Sequence, residues 1–138
     1  MRFSLVLLML MLAGCAPTTL QGVRADASDR LTFTVAQNYQ EVYRRISGPM
    51  RSCFQSGGML GPSVVVQADL FSESRKAEIA VAIIGVAGTM YPFVVDVTAL
   101  SEKATRVVAS NWAKGWAVAG AKVQRWAVDG TSACDPDF

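Results

Sequence analysis

Asp69, Glu78 and Asp96 lie in apolar, strand-like segments, where two carboxylates held at a fixed separation would serve as acid and base for glycan cleavage. Acids on the solvated face of a strand arise far more commonly without that role. Ser110 and Lys114 stand four residues apart, so on a helix they would face one another as a Ser/Lys dyad. A serine just before a helix is better explained as its cap. The chain has no histidine, and Cys53 and Cys134 do not form a C-x-x-C pair, so a thiolate has nothing to activate it. With no histidine and no cysteine cluster, the remaining metal ligands are dispersed carboxylates. The stretch Gly57-Gly58-Met59-Leu60-Gly61 lacks the Gly-Lys-Ser/Thr ending of a phosphate loop and reads as a plain connection. The expectation is a protein that is not an enzyme, with no catalytic residues, no metal and no cofactor.

Two further groups are ambiguous. Trp112, Trp116 and Trp126 fall on one side of a helical projection, where they would line a pocket for an acyl chain or fill a core beneath a sheet. Core packing is the commoner outcome for aromatics at that spacing. Arg44, Arg45 and Arg51 would meet phosphate or acidic glycans, or form the solvated face of an amphipathic helix.

The elements that would position these residues follow from periodicity. Leu31, Phe33 and Val35 alternate with threonines as in a strand with one buried face. Asn38, three residues before Glu41, opens a helix whose stripe is Tyr39, Val42, Tyr43, Ile46, Met50, Cys53 and Phe54. Pro49, which removes a donor and crowds the preceding turn, should kink or interrupt it. Four strands follow, at about 64–71, 77–84, 90–99 and 105–110, joined by short turns that imply antiparallel hairpins. A last helix over about 112–128 is expected to start at Ser110 or Asn111. The order strand, helix, four strands, helix gives an α+β fold of two layers, an antiparallel sheet of about five strands with both helices on one face. On the opposite face, Val65, Phe71, Ala82, Ile84 and Val94 are more apolar than solvent favours, so a protein contact or self-association is expected there.

The N-terminus carries the clearest signal. Arg2, the apolar run Phe3 to Leu12 and the small residues Ala13 and Gly14 have the three parts of an export signal. Leu12-Ala13-Gly14-Cys15 resembles the lipobox at which bacterial signal peptidase II cuts before a lipid-modified cysteine. An ordinary secretory signal or an uncleaved anchor is the alternative. The resemblance implies that residues 1–14 are removed and that Cys15 becomes the new N-terminus, thioether-linked to diacylglycerol with two or three acyl chains, enough for stable membrane attachment. With Ala16 rather than Asp after the cysteine, bacterial sorting rules imply the outer membrane, facing the periplasm.

Removing 14 of 138 residues leaves 124, the size of one domain, and loss of Arg2 takes the formal charge from +2 to +1. Charges of both signs are scattered, which argues against nucleic acid as a partner. Cys53 and Cys134 remain as an even pair in an oxidising compartment, where a disulfide is expected and two buried thiols are the alternative. Residues 15–30, polar and small, read as a lipidated tether holding a single domain of residues 31–138 on the order of 20 Å from the bilayer. The element order over residues 31–128, together with the lipobox, resembles the helix-grip domains of BamC-like accessory lipoproteins of the outer-membrane assembly machinery. The expected function is that of a membrane-anchored envelope lipoprotein acting as a non-enzymatic binding or accessory module toward another envelope protein. The alternative is a carrier of a hydrophobic or lipid ligand in a pocket beside the three tryptophans.

Overall fold

The computed structural model describes residues 16–57 and 60–134. Residues 1–14, expected to be an export signal, and Cys15, the expected lipidation site, therefore lie outside the described residues, as do Gly58 and Met59 of the glycine-rich loop. In chain order the elements are α1 (Leu20–Ala25), β1 (Asp29–Val35), α2 (Tyr39–Phe54), β2 (Ser63–Phe71), β3 (Lys76–Gly85), β4 (Gly88–Ser101), β5 (Ala104–Asn111), a short 3-10 turn (Lys114–Trp116) and α3 (Ala117–Asp129). The strands form one antiparallel sheet in the order β1-β5-β4-β3-β2. The fold is α+β, as the periodicity implies, and each of the four hairpin strands lies within two residues of its expected limits.

The main core lies between the sheet and the helices α2 and α3. The side chain of Asn38 accepts from the amide of Gln40 at 2.9 Å and starts α2, which buries Tyr39, Val42, Ile46, Met50 and Phe54 on one stripe. These meet Ile79, Val81, Val95, Val97 and Val107 from alternate positions of the strands. Pro49 does not interrupt α2, which is continuous from Tyr39 to Phe54 with the proline ring buried. The residue before it is Gly48, so the clash that proline normally makes with a preceding Cβ is missing.

The last helix begins later than its sequence suggests. Ser110 and Asn111 remain in β5 because they are paired on both sides, with Val94 and Phe93 of β4 and with Arg30 and Asp29 of β1. Two ladders outweigh one capping preference. α3 starts only at Ala117 and ends at Gly130, whose φ of 67° is left-handed and whose amide bonds the Trp126 carbonyl at 3.0 Å. Arg45 on α2 donates to the carbonyls of Ala127 and Val128 at 3.3 and 3.5 Å, which ties the two helices together at that end.

Beyond α3 the chain turns back, and the indole nitrogen of Trp126 donates to the carbonyl of Ala133 at 3.2 Å. That return brings Cys134 to Cys53, and the two form a disulfide across 81 residues of chain. Closing so long a loop restricts the unfolded chain, by about 4.5 kcal/mol in the chain-entropy account. Cys53→Ser with Cys134→Ser should therefore lower the urea midpoint of unfolding and raise the slope, because the unlinked unfolded chain exposes more surface, and adding reductant to the unmutated protein should reproduce both changes.

Candidate functional site

The segment expected to be a tether is part of the fold. Pro17 is buried, and its carbonyl accepts from the amide of Tyr91 in β4 at 2.9 Å. The hydroxyl of Thr19 then accepts from the amide of Gly22 at 3.0 Å and caps α1. This helix lies over β4 and β5 on the sheet face opposite α2 and α3. Val23 is fully buried there against Ala80 and Val94, with Leu20, Tyr91 and Trp112 packed around them. At Ser28 the chain rejoins the sheet: its amide bonds the carbonyl of Asn111 at 2.8 Å, and its hydroxyl accepts from the Asn111 amide nitrogen at 3.2 Å. Residues 16–28 are thus a strap across the outer face, part of the same domain as the sheet rather than of a free tether ending at residue 30.

Two of the three candidate acids for glycan cleavage, Glu78 and Asp96, are held by this strap. The register sets Glu78 of β3 opposite Asp96 of β4, with Asp69 of β2 opposite Glu78 on its other side. Like charges in directly opposed positions repel. Arg24, the first basic residue of α1, resolves the repulsion. Its Nε and Nη2 donate to the two oxygens of Asp96 at 2.9 and 2.6 Å, and Nη2 also pairs with Glu78. All three side chains are 24–30% exposed, so the pair is sheltered but not dry. The hydrogen bonds to Asp96 lead in raising the guanidinium pKa above its ordinary value; burial opposes them, and the pairing with Glu78 adds to the rise. Arg24 stays charged at any pH at which the protein folds. Arg24 thus bridges the two carboxylates and fastens α1 to the sheet.

The other sequence candidates separate in space. Ser110 is in β5, which ends at Asn111, while Lys114 begins the 3-10 turn, and the Ser110 hydroxyl accepts from Nε of Arg30 at 3.4 Å. The helical turn that would set Ser110 and Lys114 on one face as a Ser/Lys dyad is therefore not formed. Arg44 and Arg45 pair with Glu41 at 3.5 and 3.1 Å, as residues on one helix face do, while Arg51 is exposed near the end of α2. The tryptophans do not line a common pocket. Trp112 belongs to the outer cluster under the strap, whereas Trp116 and Trp126 lie in the main core on the other face. Phe54 stands between these two, with ring centroids 5.6 Å from Trp116 and 5.8 Å from Trp126, and Phe93 stacks on Trp116 at 6.1 Å. Helical phase failed as a guide because Trp112 and Trp116 precede α3. Among the described residues no cluster of three or more His, Cys, Asp or Glu is placed to hold a metal ion, and no helix is long and apolar enough to cross a membrane.

The strap also divides the expected partner face. Val94 is fully buried under Val23, and Ala82, a small side chain across from Val65, is buried as well. Neither is available to a partner. Phe71 and Ile84 remain exposed and Val65 half-exposed, on the outer side of β2 and the neighbouring end of β3. The apolar excess read from the sequence is therefore satisfied mainly by the chain itself. The Thr19 cap, with Leu20 and Val23 three residues apart, was the available signal for the strap, but one turn and a half is too short for periodicity to register. Compared with known proteins, the chain matches no family model and no curated sequence.

Two substitutions separate the parts of the strap. Val23→Ala should cost about 2 kcal/mol in global stability if the outer cluster unfolds with the core. Arg24→Met, which leaves two facing carboxylates without a cation, should cost about 1–3 kcal/mol and speed amide exchange over residues 17–28. Urea titration and hydrogen exchange by mass spectrometry would read both; exchange at the wild-type rate in Arg24→Met would show that the ion pair does not hold the strap.

Proposed function

We propose that this chain is a lipid-anchored protein of the bacterial cell envelope, attached through Cys15 to the outer membrane on its periplasmic side, and that it acts by binding another envelope protein rather than by catalysis. The observation that carries the reading is the placement of Leu12-Ala13-Gly14-Cys15 directly after an apolar export-type run. The Cys53–Cys134 disulfide supports it, because such a bond persists in an oxidising compartment. The non-catalytic part is supported by the fixed pairing of Arg24 with Glu78 and Asp96 and by the location of Ser110 inside the sheet.

The binding surface is the uncovered part of the outer face. β2 is an edge strand, and Val65, Gln67, Asp69 and Phe71 project from it on the side that the strap leaves open, next to Ile84. Apolar side chains at both ends with polar ones between suit a modest protein contact. Self-association through the same strip is the competing outcome.

Two measurements test this function. Intact mass of the protein from detergent-solubilised envelopes should show loss of residues 1–14 and a diacylglyceryl group on Cys15, and an unmodified N-terminus would refute the anchor. Affinity isolation from the same envelopes should recover one partner reproducibly, and Phe71→Asp should abolish recovery while shifting stability by no more than about 0.5 kcal/mol, since Phe71 lies at the surface. Recovery that is unchanged by Phe71→Asp would remove this strip from the binding surface.

A further inference from the structure

The strap changes how the domain must sit on its membrane. A free tether of residues 15–30 would let the domain tumble well away from the bilayer, but the first fixed main-chain contact is the bond from Tyr91 to the carbonyl of Pro17. Cys15 is two residues from that point, a reach of at most about 7 Å. The headgroup layer of one leaflet is itself about 5–8 Å thick. A lipid on Cys15 therefore leaves no length for a spacer, and the part of the domain around Pro17 must meet the headgroups.

That part is chemically distinct from the rest. Pro17 meets β4 at its beginning, beside the β3–β4 turn. Pro62, at the start of β2, lies against Gly85 at the end of β3, so the loop before β2 reaches the same end of the sheet. Leu60 and Val86 are fully exposed there, facing a shallow open cleft whose other lining residues are Gly61, Pro62, Gly85 and Ala87. Tyr91, near the start of β4, and Trp112, whose amide bonds the carbonyl of Pro92 at 2.9 Å, stand half-buried at the same end, packed against the outer cluster; aromatic residues of this kind are favoured at a membrane interface. No charged residue occurs from Ser52 to Ala68 or from Ile79 to Val95, the stretches that build the β2–β3–β4 corner of this end; its charged residues, Asp29, Arg30 and Lys114, lie on the β1–β5 side. The opposite end of the sheet is charged: its turns contain Glu73, Arg75, Glu102 and Lys103, with Arg75 and Glu102 paired at 2.8 Å. A bilayer interface accepts uncharged, apolar loops and resists charged ones.

We propose that the end of the sheet formed by Leu60, Val86, Tyr91 and Trp112 is seated in the membrane interface, so that the domain stands on the bilayer in one orientation with Val86 among the lipids and Glu102 facing away. The occupant of this apolar end is the lipid surface that carries the protein's own anchor. This inference rests on the lipidation of Cys15 proposed above. It goes beyond that reading because a lipidated protein on a flexible tether would have no preferred face.

The test uses the full-length lipidated protein in vesicles of phosphatidylethanolamine and phosphatidylglycerol containing nitroxide-labelled acyl chains. A dansyl-bearing amino acid is placed at position 86 in one sample and at position 102 in another. β4 separates these turns by on the order of 40 Å. Both positions are exposed turn residues, and mass spectrometry of each sample confirms the lipid and the disulfide. The inference expects a blue-shifted, strongly quenched probe at 86 and a water-like, unquenched probe at 102. With the lipid present on Cys15, equal signals at the two positions, or a silent probe at 86, overturn it while leaving the anchor intact. Absence of the lipid from the mass spectrum overturns the anchor and this inference together.

Discussion

The central strands of this sheet are apolar on both faces, and the rest of the molecule follows from that constraint. Ile79, Val81, Val95 and Val97 point one way, Ala80, Ala82 and Val94 the other, and all are essentially inaccessible to water. Leaving either set exposed would forfeit about 25 cal/mol for each Å² of apolar surface that could be covered. Two amphipathic helices cover the first face. The second, less voluminous face is covered in part by one short helix, because alanines beside a single valine leave a shallow surface that Val23 can fill.

A six-residue helix has no independent stability, since nucleation costs more than one turn of hydrogen bonds returns. Its existence at Leu20–Ala25 is a tertiary effect. Val23 supplies the contact and Arg24 fixes its position, by entering the space between two carboxylates that strand pairing has forced together. The repulsion between Glu78 and Asp96 and the attachment of the strap are thus one arrangement. Acids that resemble a catalytic pair when read along the chain are the receptor for the protein's own N-terminal segment.

The strap also connects fold to location. Under the proposed lipidation of Cys15, attachment at Pro17 would hold the lipid close to the sheet, so that anchor and domain would behave as one body. The uncharged loops at that corner, the charged turns at the other end and the open strip on β2 would then have defined positions relative to the membrane.

Much of this was legible in the residues. Alternation in Leu31–Val35 and in the four later strands, the stripe from Tyr39 to Phe54 and the short turns determine an antiparallel sheet with helices on one face, because each of these signals is local and repeats within a few residues. The even cysteine pair likewise anticipated the bond between Cys53 and Cys134. Tertiary structure alone decided that Ser110 and Asn111 stay in a strand rather than start a helix, that Trp112 lies on the opposite face from Trp116 and Trp126, and that residues 16–28 belong to the domain. In each case the deciding partner is remote: Ser110 answers to Val94 and Arg30, and Arg24 to residues 54 and 72 positions away. Local sequence specifies what a segment prefers by itself, whereas a short segment with weak preferences takes the conformation that its distant neighbours make most favourable.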